Sequence, residues 1–335
     1  MKSWMFEKLS EKLSAAASVT LLLVFLSSCA PESKNLSAYQ NSTANTESSN
    51  IIGGTLATAD YQKQNGIVEL SIAIQDTVTG SQGTATCTGT LIAKRLVLTA
   101  AHCLASPGIT NIAAVFVTDE NKALKTDVVF AVDGIIHPDF LKGIDPKAPS
   151  ASATWNDIAL VKLEADAPAD FKFARLPASA TEVNLLAGSK VTLSGYGITN
   201  VIVRKVVRGK NGTQKIIEVP STGSGVLRKI DNILVKQMSM DKKEIMLDQS
   251  KSIGACHGDS GGPAFVMAKD GTSIQVGVTS RGTEKLGNCN ENAIYTSVAS
   301  HLAWIADAGG KLLAKAVVNP VAVLPTKPAL PVAVK

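Results

Sequence analysis

Three polar residues stand where a side chain could do covalent chemistry. Ser260 lies in the run Gly258-Asp259-Ser260-Gly261-Gly262-Pro263, His102 in Leu98-Thr99-Ala100-Ala101-His102-Cys103, and Asp157 in Asn156-Asp157-Ile158-Ala159-Leu160. A serine hydroxyl attacks a carbonyl only when a neighbouring base takes its proton. Histidine is the side chain suited to accept that proton near neutral pH and return it to a leaving amine. A carboxylate at the other ring nitrogen would fix the tautomer and stabilise the imidazolium that forms. The glycines around Ser260 let the backbone turn tightly and present N–H groups with no side chain in the way. The other histidines compete poorly as the base. His137 precedes Pro138 in a turn, His301 falls in a terminal helical pattern, and His257 adjoins the nucleophile in an unsuitable context.

Each segment alone is weakly specific, because a histidine after a strand is usually structural and Gly-x-Ser-x-Gly is shared with other hydrolase folds. Their joint occurrence in this order is specific. From Ile51 to about Ala308 the chain resembles the chymotrypsin-type serine endopeptidases. The resemblance implies a catalytic triad of His102, Asp157 and Ser260, with the N–H groups of Gly258 and Ser260 as the oxyanion hole. Ser280 would donate to the Asp157 carboxylate, and polypeptides would be the substrates. It implies an all-β architecture of two six-stranded antiparallel barrels with the triad in the cleft between them. It also pairs Cys87 with Cys103 and Cys256 with Cys289. Counting alone leaves three pairings open for these four cysteines, with zinc as the competing use, although no CxxC spacing supports zinc.

Ile51-Ile52-Gly53-Gly54 resembles the new N-terminus that members of this family expose on activation. Cleavage after Asn50 would free an ammonium on Ile51 to pair with Asp259, so the intact chain is expected to be latent. Asn50 is neither Lys nor Arg, so the activating protease is not implied to be trypsin-like. At the pocket base, where trypsin-like members carry an aspartate, this chain has Gly254. Ala255 lies beside it, with Gly282 on one wall and Ala293 on the other, so the pocket is expected to be uncharged and to take apolar side chains such as Leu, Met, Phe or Tyr. Arg281 follows Ser280 where an aromatic residue is common. It either favours acidic residues upstream of the cut bond or points to solvent.

The body that must position these groups reads as β structure. Runs rich in Val, Ile and Thr recur at Ile67 to Ile74, Thr90 to Leu98, Val128 to Ile136, Ile158 to Leu163, Val191 to Ser194 and Ile274 to Thr279. A helix is expected near the end, with Val298, Leu302 and Ile305 on one face and Trp304 at its edge, stopping near Gly309 and Gly310. The segment from Ile198 to Gly225 reads as a surface insertion. Asp119 and Glu120 do not reproduce a calcium ligand set, so neither a metal nor a cofactor is expected. The net charge of +5 comes without a basic stripe, which argues against nucleic acid.

Residues 1–28 have the layout of an export signal, with Lys2, Lys8 and Lys12 ahead of an apolar run from Leu13 to Leu26. A retained anchor is the alternative. Leu26-Ser27-Ser28-Cys29 resembles a bacterial lipobox, which would acylate Cys29 and tether the chain to the envelope, with Ala30 pointing to an outer membrane. Ordinary signal cleavage after Ala30 is the other reading. Residues 29–50 read as a linker and activation segment, 51–309 as the protease domain, and 310–335 as a Pro-, Ala- and Val-rich tail. A catalytically silent binding protein of the same fold at the cell surface is the rival function.

Overall fold

The computed structural model describes residues 51–142 except 77, 155–199, the backbone of two strands at 205–208 and 214–217, 222–284 and 288–315. The signal, Cys29, Asn50, most of the surface insertion and the tail from 316 lie outside the described residues.

A short strand β1 (Thr55–Leu56) leads into helix α1 (Ala59–Asn65). The Thr58 side chain caps α1 by accepting from the Tyr61 N–H, and Gly66 ends it at φ +63°. Six strands then close the first barrel: β2 (Ile67–Gln75), β3 (Gln82–Ala93), β4 (Leu96–Thr99), β5 (Ile109–Val115), β6 (Val128–Ile136) and β7 (Ala159–Leu163). They run in the order β2-β3-β4-β7-β6-β5, and β5 pairs back with β2. The expected single strand over Thr90 to Leu98 is two strands. Lys94 and Arg95 turn the chain there, and the Arg95 Nε and Nη2 donate to the Leu163 and Glu164 carbonyls.

The second barrel uses β8 (Lys190–Gly195), then β11 (Arg228–Met238), β12 (Glu244–Asp248), β13 (Pro263–Met267), β14 (Ser273–Gly282) and β15 (Asn292–Ser297). Between β8 and β11, β9 (Lys205–Arg208) and β10 (Gln214–Ile217) form a separate antiparallel hairpin. The barrel order is β8-β11-β12-β15-β14-β13, closed by β13 on β8, and β1 adds to β11. Leu70, Leu91, Leu98 and Leu160 fill the first barrel, and Leu193, Ile245, Leu247 and Tyr295 the second. Buried hydrogen bonds join the two, among them Thr90 Oγ1 to Gln275 Oε1 at 2.7 Å and the Thr88 N–H to the Ser260 carbonyl at 2.7 Å.

A four-residue helix α2 (His102–Ala105) follows β4, and helix α3 (Leu302–Ala314) packs on the first barrel after a 3₁₀ turn at Ala299–His301. The helix does not stop at Gly309 and Gly310 as the pattern suggested. A Cβ on Gly309 would meet Leu96 Cδ2 at 2.9 Å, so that glycine serves close approach to the barrel, not termination. The helix end is held instead by Lys162, buried on β7, whose ammonium donates to the carbonyls of Leu312, Leu313 and Lys315. Replacing Lys162 with Met is expected to orphan these carbonyls and cost about 2 kcal/mol. A urea titration would read this as a lower midpoint at unchanged slope. Among the described residues no helix is long and apolar enough to cross a membrane.

Candidate active site

The site is assembled from both barrels. His102 begins α2 directly after β4, and a disulfide between Cys103 and Cys87 on β3 fastens that turn to its own sheet. Asp157 stands just before β7 and is 1% exposed. Its Oδ1 accepts the His102 backbone N–H at 2.9 Å, and its Oδ2 lies 2.7 Å from His102 Nδ1. The Ser280 hydroxyl, from β14 of the second barrel, donates to the same Oδ2 at 2.7 Å. A carboxylate accepts only, so Nδ1 carries the proton and Nε2 is left with a lone pair. His102 and Ser260 line one cavity of about 280 Å³, with no hydrogen bond joining their side chains. Such contacts are commonly loose before substrate binds.

Ser260 sits in a turn held from several sides. The Thr88 hydroxyl donates to the Gly258 carbonyl at 3.0 Å, and the Gly261 N–H donates to the Thr279 carbonyl at 2.8 Å. Gly258 has φ +96°, and a Cβ there would meet Gly197 Cα at 2.8 Å, so both conformation and space require glycine. Among the described residues the N–H groups of Gly258 and Ser260 have no protein acceptor. Between them Asp259 points inward and is 1% exposed, its carboxylate accepting from the Gly197 and Cys256 N–H groups, each at 2.8 Å. Burial pushes its pKa up to about 7, against the downward pull of those two N–H groups and the Arg228 charge. Ile51 is 1% exposed at φ +46° in the second-barrel core, and the Gly254 N–H donates to the Ile52 carbonyl at 2.8 Å.

The second disulfide, Cys256–Cys289, ties the nucleophile loop to the far wall of the cavity. The Cys-His-Cys groupings at Cys87, His102, Cys103 and at Cys256, His257, Cys289 contain these bonded sulfurs, which are not available as thiolate ligands.

Ala255, Gly282 and Ala293 line the cavity, whereas Gly254 does not and packs against Gln249, where a Cβ would meet Cδ at 2.6 Å; the expectation of an uncharged pocket fails at one wall. Glu284 lines it. The Glu284 Oε1 accepts the Cys289 N–H at 2.8 Å, and among the described residues its buried Oε2 has no hydrogen-bond partner. The carboxylate lies against Gly282, where a Cβ would meet Oε2 at 2.6 Å. Gln249 also lines the cavity. Its amide exchanges hydrogen bonds with the Ala255 backbone and donates to the Cys289 carbonyl. Neither residue was found from sequence. Gln249 carries no local signal, whereas the proximity of Glu284 to Gly282 could have raised it.

Arg281 does neither of the two things expected of it. Its guanidinium is bound by both oxygens of Glu244, at 2.8 and 2.9 Å, and lies over the Trp155 ring at 4.3 Å. Arg281 lines the cavity with a side chain only 22% exposed, and the charge it presents there is already paired by Glu244.

A two-barrel fold with an aligned His-Asp pair and a serine in a glycine-lined turn defines the class of serine hydrolases built on this architecture. Comparison with known proteins narrows it. The Trypsin family profile matches residues 58–305. A chymotrypsin of Phaedon cochleariae is 30% identical over 71% of this chain and 78% of its own length. The serine protease Hayan of Drosophila melanogaster and the vitamin K-dependent protein C of Rattus norvegicus are each 29% identical over 65% of this chain, which spans only 34% and 45% of their lengths. The solved structure titled HL collagenase superposes with a TM-score of 0.57 at 23% identity, covering 77% of this chain and 98% of that one. The chain belongs to the trypsin family of serine endopeptidases.

Proposed function

We propose that this chain is made as a latent precursor and, once cut between Asn50 and Ile51, cleaves polypeptides by an acyl-enzyme route. The observation that carries this reading is the meeting at one cavity of His102, oriented by Asp157 and Ser280, with Ser260, whose own N–H and that of Gly258 are unengaged among the described residues. The Ser260 Oγ attacks the scissile carbonyl carbon as His102 Nε2 takes its proton. The resulting oxyanion faces the N–H groups of Gly258 and Ser260. Collapse breaks the C–N bond, His102 gives the proton to the leaving amine, and Ser260 keeps the acyl group. Water then enters with His102 again as base, releasing the acid and restoring the serine.

The part of the cavity at Ala255 and Ala293 has no charge, and Gln249 spends its amide on backbone groups. An apolar side chain such as Leu, Met, Phe or Tyr therefore fits best before the cut bond, while Glu284 gives a basic side chain a lesser foothold. Peptides with Leu or Phe at that position are expected to exceed those with Arg or Lys by about tenfold in kcat/KM. Replacing Glu284 with Gln should lower only the basic series. If the basic peptides are cut best, the apolar assignment is wrong.

Two disulfides fit an exported chain, and the lipobox-like segment gives the reading of a lipid anchor at Cys29 in the bacterial envelope. Its partners would be polypeptide substrates, a separate activating protease and the membrane lipid. The test is a fluorophosphonate probe with mass spectrometry on the export-mature chain, on a form beginning at Ile51, and on a Ser260→Ala control. Labelling of Ser260 in the cut form alone supports both enzyme and latency. Labelling in both forms removes the latency, and labelling in neither leaves a binding protein on a protease fold.

A further inference from the structure

We propose that Arg281, Glu244 and Trp155 form a clamp between the two barrels that positions Asp157. Trp155 belongs to the segment entering β7 of the first barrel, whereas Glu244 lies on β12 and Arg281 on β14 of the second. Glu244 Oε1 accepts both the Trp155 backbone N–H, at 3.0 Å, and Arg281 Nη1, at 2.8 Å, while Oε2 accepts Nη2 at 2.9 Å. The guanidinium covers the Trp155 ring at 4.3 Å, so one planar cation grips the segment by its face and through a shared acceptor. The side chains of Arg281 and Glu244 are only 22% and 8% exposed, which limits screening by solvent.

The clamp acts on a backbone that needs holding. Asn156, between Trp155 and Asp157, has φ +46°, a left-handed conformation that a non-glycine residue adopts at a cost. The segment is held from further sides, by β15 of the second barrel and by the 3₁₀ turn that follows it. Thr296 Oγ1 donates to the Asp157 carbonyl at 2.9 Å, and His301 Nε2 lies 3.3 Å from Asn156 Oδ1. Arg281 Nη1 also reaches Ser280 Oγ at 3.5 Å, and that hydroxyl donates to Asp157 Oδ2. A hydrogen-bonded chain thus runs from Glu244 through Arg281 and Ser280 to Asp157 and His102. Arg281 is a positioning residue, and the role rests on the proposed function in taking Asp157 as the group that orients His102.

The experiment compares the active enzyme with Arg281→Lys and with the double variant Arg281→Met/Glu244→Gln. Lysine keeps the charge but loses the fork. The double variant removes both charges together, keeps an acceptor for the Trp155 N–H, and leaves no orphaned ion. Both are expected to lower kcat by about tenfold or more at little-changed KM, since small misplacements of a catalytic group cost this much. The double variant should do so with melting temperature nearly retained. In proton NMR the downfield resonance of the His102–Asp157 hydrogen bond should shift or broaden. That readout does not depend on turnover, so it tests the clamp separately from the endopeptidase reading. Unchanged kcat and an unchanged resonance in the folded double variant would overturn the proposal, even where Arg281→Lys is unstable. A lower melting temperature without either change would do the same.

Discussion

Replacing Asp157 with Asn is expected to lower kcat by about 10⁴-fold while leaving KM nearly unchanged. The hydrogen bonds of this site say why. Oδ1 receives a backbone N–H that cannot rotate away, so the amide must keep its oxygen there and place its NH2 at the Oδ2 position. That NH2 then faces His102 Nδ1 and the Ser280 hydroxyl. Ser280 can turn its proton elsewhere, but the imidazole can answer a donor only by presenting a lone pair at Nδ1. Its proton moves to Nε2, which can no longer accept from Ser260. Steady-state kinetics on a single peptide, normalised by active-site titration, measures the loss. A loss below about tenfold would mean that Asp157 does not set the tautomer.

Cleavage between Asn50 and Ile51 is expected to raise kcat by at least about a hundredfold, and Asp259→Asn in the cut form should remove that gain. The Asp259 carboxylate is fully buried, accepts two backbone hydrogen bonds, and is still pushed up to about 7. In the uncut chain its ionised form has no ion pair among the described residues, Arg228 acting only at longer range. An ammonium freed at Ile51 would pair with it and stabilise the turn that aims the Gly258 and Ser260 N–H groups.

The pH dependence has a definite sign. A carboxyl raised from about 4 in the unfolded chain makes the native state bind more protons between about pH 4 and 7, so stability falls as pH rises through that window. For Asp259 this amounts to roughly 4 kcal/mol, fully lost above pH 7 and regained toward pH 4. Burial and the nearby Glu120 push Glu69 up as well, with the same sign, but in both forms. The difference between uncut and cut chains in urea titrations across this range therefore isolates Asp259. At the alkaline end, activity of the cut form should fade as the Ile51 amine, ordinarily near about 8 and raised by its ion pair, loses its proton. Equal stability profiles in the two forms would remove the ion pair from the account.

How far the site was legible follows from the range of each constraint. The turn around Ser260 needs glycines at fixed offsets, and the segments holding His102 and Asp157 are short and local, so all three could be read from the chain. The recurrent apolar runs gave β structure, but not where one strand ends: Lys94 and Arg95 break a run that reads as continuous. Gly309 read as a helix stop because close approach to Leu96 leaves no trace beside it in sequence. α1, a single capped segment between β1 and β2, was too short for its periodicity to register.

Residue types and local spacing by themselves determined the candidate nucleophile, base and carboxylate, and with the family resemblance the two-barrel architecture. Only the tertiary structure decided the electrostatics around them. Arg281 is neutralised by Glu244 from another strand, the cavity gains a charge from Glu284, and Asp157 is held by Ser280 and Thr296 from the opposite barrel. The physical reason is that burial and pairing of charge depend on which distant segments the sheet register brings within a few ångströms, and such distances have no period along the chain.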